Sequence, residues 1–391
     1  MAGPLAGFKV VEMVGLGPGP FCAMMLADMG ADVIRIDRPR PAGTPPPTAA
    51  IGDARHDILA RGRRTLDIDL RADGAAEAML QLIGRADALI EGFRPGVMER
   101  LGLGPEVCLA RHPKLVYGRV TGWGRDGPLS PSAGHDINYI ALTGVLHAIG
   151  HAGDAPVVPL NYIGDFGGGG MFLAFGIVCA LLEARGSGRG QVVDAAMTDG
   201  SAMLSAMMYA FRADGQVDNR RETNLLDGGA PFYATYTCAD GKYLAVGAIE
   251  PQFYRRLLEG CGLAGDPTFA AQMDRGQWPL QKARLAAVLA SRTREAWCER
   301  FAGSDACVAP VLDWDEAPLH AHNVARATFV DVDGVFQPAP APRFSRSAPA
   351  RPRPPDAVPA GGAEILREWG VAAPLIDRLA AAGALGGAAE R

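Results

Sequence analysis

A histidine and an aspartate stand in this chain where glycine-bearing loops turn into apolar helical runs. The first is His135, in Ala133-Gly134-His135-Asp136-Ile137-Asn138-Tyr139. The second is Asp165, in Asn161-Tyr162-Ile163-Gly164-Asp165-Phe166, which continues into Gly167, Gly168, Gly169 and Gly170. After the first, Ile137, Ile140, Ala141, Val145 and Ile149 recur at helical spacing; after the second, Met171, Phe172, Phe175, Val178 and Leu182 do. Backbone N–H groups at a helix start lack partners and favour developing negative charge. Two such helices could therefore offer an anion pocket flanked by a proton acceptor and a proton donor. That equipment removes a proton next to a carbonyl and returns it. The plainer reading of the same pattern is that Asp165 caps a helix and His135 is structural.

The elements that must position this pair alternate. Residues 8–13 read as a strand, Gly15-Leu16-Gly17-Pro18-Gly19-Pro20 as a turn, residues 21–30 as a helix and 33–36 as a second strand ending at Asp37-Arg38. The turn invites a dinucleotide reading, with Asp37 placed for a ribose. Pro20 in the third fingerprint position weakens it, and Arg38 suits a phosphate better. Residues 39–48 form a proline-rich loop. Arg55, Arg61, Arg63 and Arg64 then lead into a strand at 65–71; with Arg38, Arg94 and Arg100 they are either a solvated face or a collector for a nucleotide pyrophosphate. A helix at 73–84, a strand at 88–91, short helices at 97–101 and 105–111 and a strand at 115–121 extend the alternation. This predicts a mostly parallel sheet covered by helices, with ligands beyond the carboxyl ends of its strands, where His135 lies.

Further on, a strand at 191–195 precedes Met197, Met203, Met207 and Met208 on one helical segment, either core or an adaptable apolar surface. A loose stretch at 219–229 leads to a hairpin at 232–238 and 243–248, helices at 253–260, 284–290 and 294–302, and a strand at 306–312. Residues 338–359 read as a proline-rich strap and 363–369 as a last helix. The expected organisation is a large domain over 1–218, a linker and small α+β domain over 219–330, and a C-terminal strap and helix over 331–391 that pack on the large domain.

Composition narrows the function. With 38 basic against 43 acidic residues, no basic surplus points to nucleic acid. The seven cysteines contain no C-x-x-C pair and no zinc spacing, as expected of reduced thiols in a cytoplasmic protein. The start lacks a secretory signal pattern, the end is not of the S-K-L type, and the apolar run 171–182 is short for a bilayer. No membrane or metal partner is expected.

The two motifs around His135 and Asp165 resemble those of the class III CoA-transferase (CaiB/BaiF-like) family, and within it the α-methylacyl-CoA racemases. Gly17-Pro18-Gly19-Pro20 and the stretches 28–39, 94–101, 197–201, 226–233 and 248–254 resemble it too. The likeness runs to about Ser345 and departs at 40–61 and in the C-terminal tail. It implies a large Rossmann-like domain with a mostly parallel sheet and a smaller α+β domain, in an interlocked homodimer whose sites lie between one subunit's large domain and its partner's small one. It implies an isomerase that inverts the α-carbon of 2-methylacyl-CoA thioesters by two-base proton transfer through an enolate, with His135 and Asp165 as the bases and Glu250 hydrogen-bonded on the histidine side. Coenzyme A, part of the substrate rather than a cofactor, would be held by Arg38, Ile68, Asp69, Leu70, Arg71, Arg94, Arg100 and the loop residues Ala133, Gly134, Asp136, Ile137 and Asn138. The Met-bearing segment would carry the acyl chain. The competing readings are a CoA-transferase with Asp165 as acyl nucleophile, a non-catalytic acyl-CoA-binding protein and an NAD-linked dehydrogenase.

Overall fold

Short runs rich in Val, Ile and Leu, buried on both sides, pair in parallel through intervening helices, as such runs do when covered on both faces. The strands are β1 (Lys9–Met13), β2 (Asp32–Asp37), β3 (Arg64–Asp67), β4 (Ala88–Glu91), β5 (Val116–Thr121) and β6 (Val192–Ala196), in the order β3-β2-β1-β4-β5-β6 and parallel throughout. This computed structural model describes residues 3–39, 54–356 and 361–386. The expected proline-rich loop from residue 40 on, and 357–360 of the expected strap, lie outside them.

Helices α1 (Pro18–Asp28), α2 (Ala75–Ile83), α3 (Val97–Arg100) and α4 (Pro105–Arg111) connect the first five strands. Between β5 and β6 come α5 (Asp136–Ala141), α6 (Val145–Ala148), a π-helix (Tyr162–Met171) and α7 (Phe172–Ser187). Strand side chains alternate between two cores. On one side Val11, Ile34, Ile36, Leu66 and Leu89 meet Met79 and Ile83 of α2. On the other Val10, Val33, Ile90 and Val116 meet Cys22 and Leu26 of α1 and Leu173, Ile177 and Leu181 of α7. Full burial of each such aliphatic side chain contributes about 2 kcal/mol.

Contacts divide the chain into two units. The first comprises Met1–Thr143, Leu160–Leu204 and Ala327–Arg391; the second comprises Gly144–Pro159 and Ser205–Arg326. The first ends with α8 (Met197–Leu204), the antiparallel hairpin β10 (Phe329–Val332) and β11 (Val335–Pro338), and the helices α14 (Gly362–Glu368) and α15 (Ala373–Ala381). Ile365, Leu366, Trp369, Ile376 and Leu379 close the core over α2 and β3. The second unit holds α9 (Ala206–Ala213), an antiparallel sheet β7-β8-β9 (Tyr233–Thr237, Tyr243–Gly247, Val308–Val311) and helices α10 (Pro251–Cys261), α11 (Trp278–Leu289), α12 (Arg294–Phe301) and α13 (Ala321–Ala325) around Phe232, Leu257, Trp278 and Trp297.

These boundaries differ from the expected 1–218 and 219–330. Residues 144–159 join the second unit because Arg221 donates to the carbonyls of His147 and His151, and Glu222 accepts from the Ala152 N–H at 3.1 Å. The apolar run from Ile137 to Ile149 is accordingly not one helix. It breaks at Gly144, which is left-handed at φ 81°. The Met segment also divides, with Met197 and Met203 on α8 and Met207 and Met208 on α9 of the other unit. Conversely, the π-helix and α7 run on as one stretch of 26 residues, Tyr162–Ser187, which by length and composition could cross a membrane. The run 171–182 had read as too short. The helix α15 and the β10–β11 hairpin were not foreseen, although Asp333-Gly334 between its strands is a strong hairpin turn.

Candidate active site

Between Asn161 and α7 the chain winds as a π-helix, a form frequent at functional sites, and four glycines in a row, Gly167 to Gly170, leave its second half almost without side chains. Backbone can then approach backbone. A Cβ on Gly168 would stand 2.6 Å from the Ser201 nitrogen, so α8 could not lie where it does against any larger residue. Asp165 falls in the first turn of this π-helix.

Its carboxyl group is tightly enclosed. Asn161 Nδ2 donates to Asp165 Oδ2 at 3.0 Å. On another side is Gly17, the N-cap of α1 at φ 66°, where a Cβ would stand 2.9 Å from the same oxygen. The glycine turn read for a dinucleotide thus serves to leave room for the Asp165 carboxyl.

His135 is the N-cap of α5, in extended conformation at φ −133° and ψ 174°. Its N–H donates to Asn138 Oδ1 at 3.0 Å, which fixes the start of the helix and leaves the residue exposed. The loop before it is locked from behind. The Tyr139 hydroxyl donates to the Gly134 carbonyl, and the Tyr139 ring meets Trp123 edge-on at 4.8 Å.

Asp136 joins the two motifs. It is buried, 5% exposed, and its Oδ2 accepts from the Asp165 N–H at 2.7 Å. Burial pushes the Asp165 carboxyl above the usual carboxylate range, against the Asn161 hydrogen bond that pulls it down; the Asp136 charge adds to the rise, and His135 in its charged form would oppose it. The site therefore pairs an exposed imidazole with a carboxyl biased toward its neutral form, beside the start of α5, where the first N–H groups of a helix lack intrahelical partners. Such a set can pass one proton off carbon and another on.

Apart from Glu250, the remaining expected site residues belong to the same unit as this pair. Arg38 is exposed just past β2, its N–H bonded to Asp37 Oδ1 at 2.7 Å. Arg94 is exposed on the loop after β4, and its charge acts on the Tyr139 hydroxyl. Arg100 closes α3 and is exposed; Ala133, Ile137 and Asn138 are exposed, and Gly134 is half-buried. The strand expected over 65–71 stops at Asp67, since Ile68 makes only an isolated bridge to Leu385. Ile68 is wholly buried in the core, and its N–H goes to the Asp37 carbonyl, so its side chain is not available to a ligand. Asp69 gives its N–H to the Ala384 carbonyl, Leu70 packs on the core, and Arg71 turns back to Asp69 at 3.3 Å. Glu250 belongs to the second unit, exposed at the N-cap of α10.

In the basic cluster before β3, three arginines are engaged within the protein. Arg61 pairs with Asp28 (Nε–Oδ1 3.1 Å) and Gln337, Arg63 is buried against Glu12, and Arg64 pairs with Asp32 and Glu368. Three contributors were given no role at the site from the sequence: Gly17, Asn161, and the buried pair of Arg119 with Glu91. Glu91 also accepts from the Phe93 N–H at 2.8 Å and so fixes the loop that carries Arg94. A carboxylate ending the apolar strand Ala88–Glu91 was the available signal.

The sequence model for CoA-transferase family III matches residues 5–364. An α-methylacyl-CoA racemase of Mus musculus is 47% identical over 369 residues, 94% of this chain and 93% of that protein. The α-methylacyl-CoA racemase of Homo sapiens is 44% identical over 94% of this chain and 93% of its own length. Among solved structures, a CaiB/BaiF family protein from Brucella suis superposes with a TM-score of 0.80 at 25% identity, covering 94% of this chain and all of that one. On fold, motifs and kinship together, this chain belongs to CoA-transferase family III.

Proposed function

We propose that this protein is an α-methylacyl-CoA racemase that inverts the α-carbon of 2-methylacyl-CoA thioesters. The observation that carries the reading is the Asp165 carboxyl, enclosed by Asn161 and Gly17, raised by burial, and tied through Asp136 to the helix turn that bears His135. The whole-length likeness to the two racemases supports it.

In the S→R direction neutral His135 takes the α-proton, and the electron pair moves onto the thioester oxygen to give a planar enolate. Asp165, starting protonated, delivers its proton to the opposite face as the carbonyl re-forms. In the R→S direction Asp165 is the base and the imidazolium the acid. The enolate oxygen is stabilised by the Asp136 N–H at the start of α5, a donor of a kind worth about 3 kcal/mol. Glu250 tunes the histidine side. Arg38, Arg71, Arg94 and Arg100 bind the coenzyme A phosphates, with the main chain at Ile68, Asp69 and Leu70 and the loop 133–138 alongside the ligand. Coenzyme A enters only as part of the substrate.

The active species is a homodimer. Phe175, Val178 and Leu182 of α7 are exposed, 70%, 41% and 74% respectively, and such an apolar stripe beside the edge strand β6 suits a subunit contact. Seven unpaired cysteines suit a reducing, cytoplasmic setting.

The test is α-hydrogen exchange. Incubated in deuterium oxide with 2-methyldecanoyl-CoA of one handedness and no acceptor acid, the protein should exchange the α-hydrogen and yield both epimers. Turnover that depends strictly on a second carboxylic acid, without exchange, would replace this reading with acyl transfer through Asp165. Binding without either reaction would leave a non-catalytic acyl-CoA protein.

A further inference from the structure

We propose that the Asp136 side chain is a positioning residue of this reaction, clamping the Asp165 main chain and disfavouring a second negative charge beside it. The inference rests on the racemase reading and extends it to a group that never touches substrate.

Its ground is geometric. The Asp136 carboxylate sits one residue after His135, inside the protein, and reaches the start of the π-helix rather than its own helix. Oδ2 accepts the Asp165 N–H at 2.7 Å, and Gly164 leaves space for it, since a Cβ there would stand 2.7 Å from the same oxygen. Among the described residues the buried Oδ1 has no hydrogen-bond partner. A neutral amide would serve the N–H equally well, and among the described residues no cation is paired with the carboxylate. A charge kept inside under those conditions acts on its neighbours. The neighbour is Asp165, whose carboxyl it resists ionising, while Asn161 does the reverse by donating to the ionised form. The titratable groups acting on Asp165 are His135, Asp136 and, with weaker consequence, Tyr139 from α5. Of the elements packed against the π-helix, α1 has Asp28 at its far end, paired with Arg61; α7 has Glu183 and Arg185 toward its far end; β5 has Arg119, paired with Glu91; and α8 has Asp199, which acts on Asp194 of β6.

Asp136 and Asn161 therefore pull the same proton in opposite senses, which a purely structural role would not reproduce. The experiment measures kcat/KM for epimerisation of 2-methyldecanoyl-CoA from pH 4.5 to 9 in the parent protein, Asp136→Asn and Asn161→Ala. The acid limb of the profile follows loss of the Asp165 proton from the doubly protonated pair. Asp136→Asn keeps an acceptor for the Asp165 N–H and removes the charge, so its acid limb moves to lower pH. Asn161→Ala moves it to higher pH. The activity ratio between pH 5 and pH 8 should rise about threefold or more in the first variant and fall about as much in the second. Limbs that coincide with the parent's, or shift in the same sense in both variants, overturn the inference. A parent without epimerisation overturns the racemase reading first and this one with it. Should Asp136→Asn melt well below the parent, Asp136→Glu separates the roles. It retains the charge in altered geometry, and an unshifted acid limb with depressed kcat supports the charge assignment. A limb displaced like that of Asp136→Asn opposes it.

Discussion

His135 and Asp165 face different physical demands. The imidazole is exposed on the cap of a short helix; the carboxyl is enclosed, and burial holds it above the usual carboxylate range. His135→Ala and Asp165→Ala should each lower epimerisation by about 10²–10⁴-fold, as loss of a general acid or base does. Their melting temperatures should stay near the parent's, which thermal denaturation checks; near-full activity in either would dismiss the two-base assignment. Gly17→Ala is the sharper probe of placement. A methyl group there, at φ 66°, meets Asp165 Oδ2 at 2.9 Å, and displacement of the carboxyl by a fraction of an ångström should cost about a hundredfold in kcat. The two residues drew notice in the sequence because each stands where a glycine-bearing loop meets an apolar run, although the first of those runs breaks at Gly144. Their surroundings were not legible, since Gly17 reaches Asp165 only once α1 is folded against the π-helix, and local pattern gave Gly17 a more familiar use. The packing of Ile68 was not legible either: its side chain is buried in the core, which leaves only its main chain for the ligand role that the resemblance implies.

The sheet was readable at the level of elements because its strands are apolar runs closed by turn residues, and most expected strands lie within a residue or two of those observed. Errors gathered where one residue interrupts a periodic run. Gly144 divides the run begun at Ile137, and Ser205 separates the two methionine-bearing helices. Periodicity alone cannot distinguish a helix from two that share an apolar phase. The π-helix was equally hidden, since its glycines have no side chains to carry a period, yet they decide the approach of α8. Gly168→Ala should therefore force the π-helix and α8 apart and lower stability by about 1–3 kcal/mol, measured by denaturant unfolding. If stability and activity both survive unchanged, the close approach has no role.

At the scale of the molecule, the exposed stripe on α7 bears on assembly. Sedimentation should give a dimer, and Leu182→Glu should shift it toward monomer with loss of epimerisation, because a charge placed in an apolar contact opposes association. A fully active monomer would remove the shared-site reading. One further consequence lies in the order in which the chain is made. The β-strands β1 to β5 emerge early, yet the core beneath them is closed by Ile365, Leu366, Trp369 and Leu379, and the edge of β3 is met by Leu385 near the end. Until the ribosome has released those last residues, a broad greasy surface on the nascent sheet has nothing to cover it. A stop codon after Ala360 would leave that surface bare for good, and the shortened product should be found with chaperones or in inclusion bodies even though His135 and Asp165 are both present.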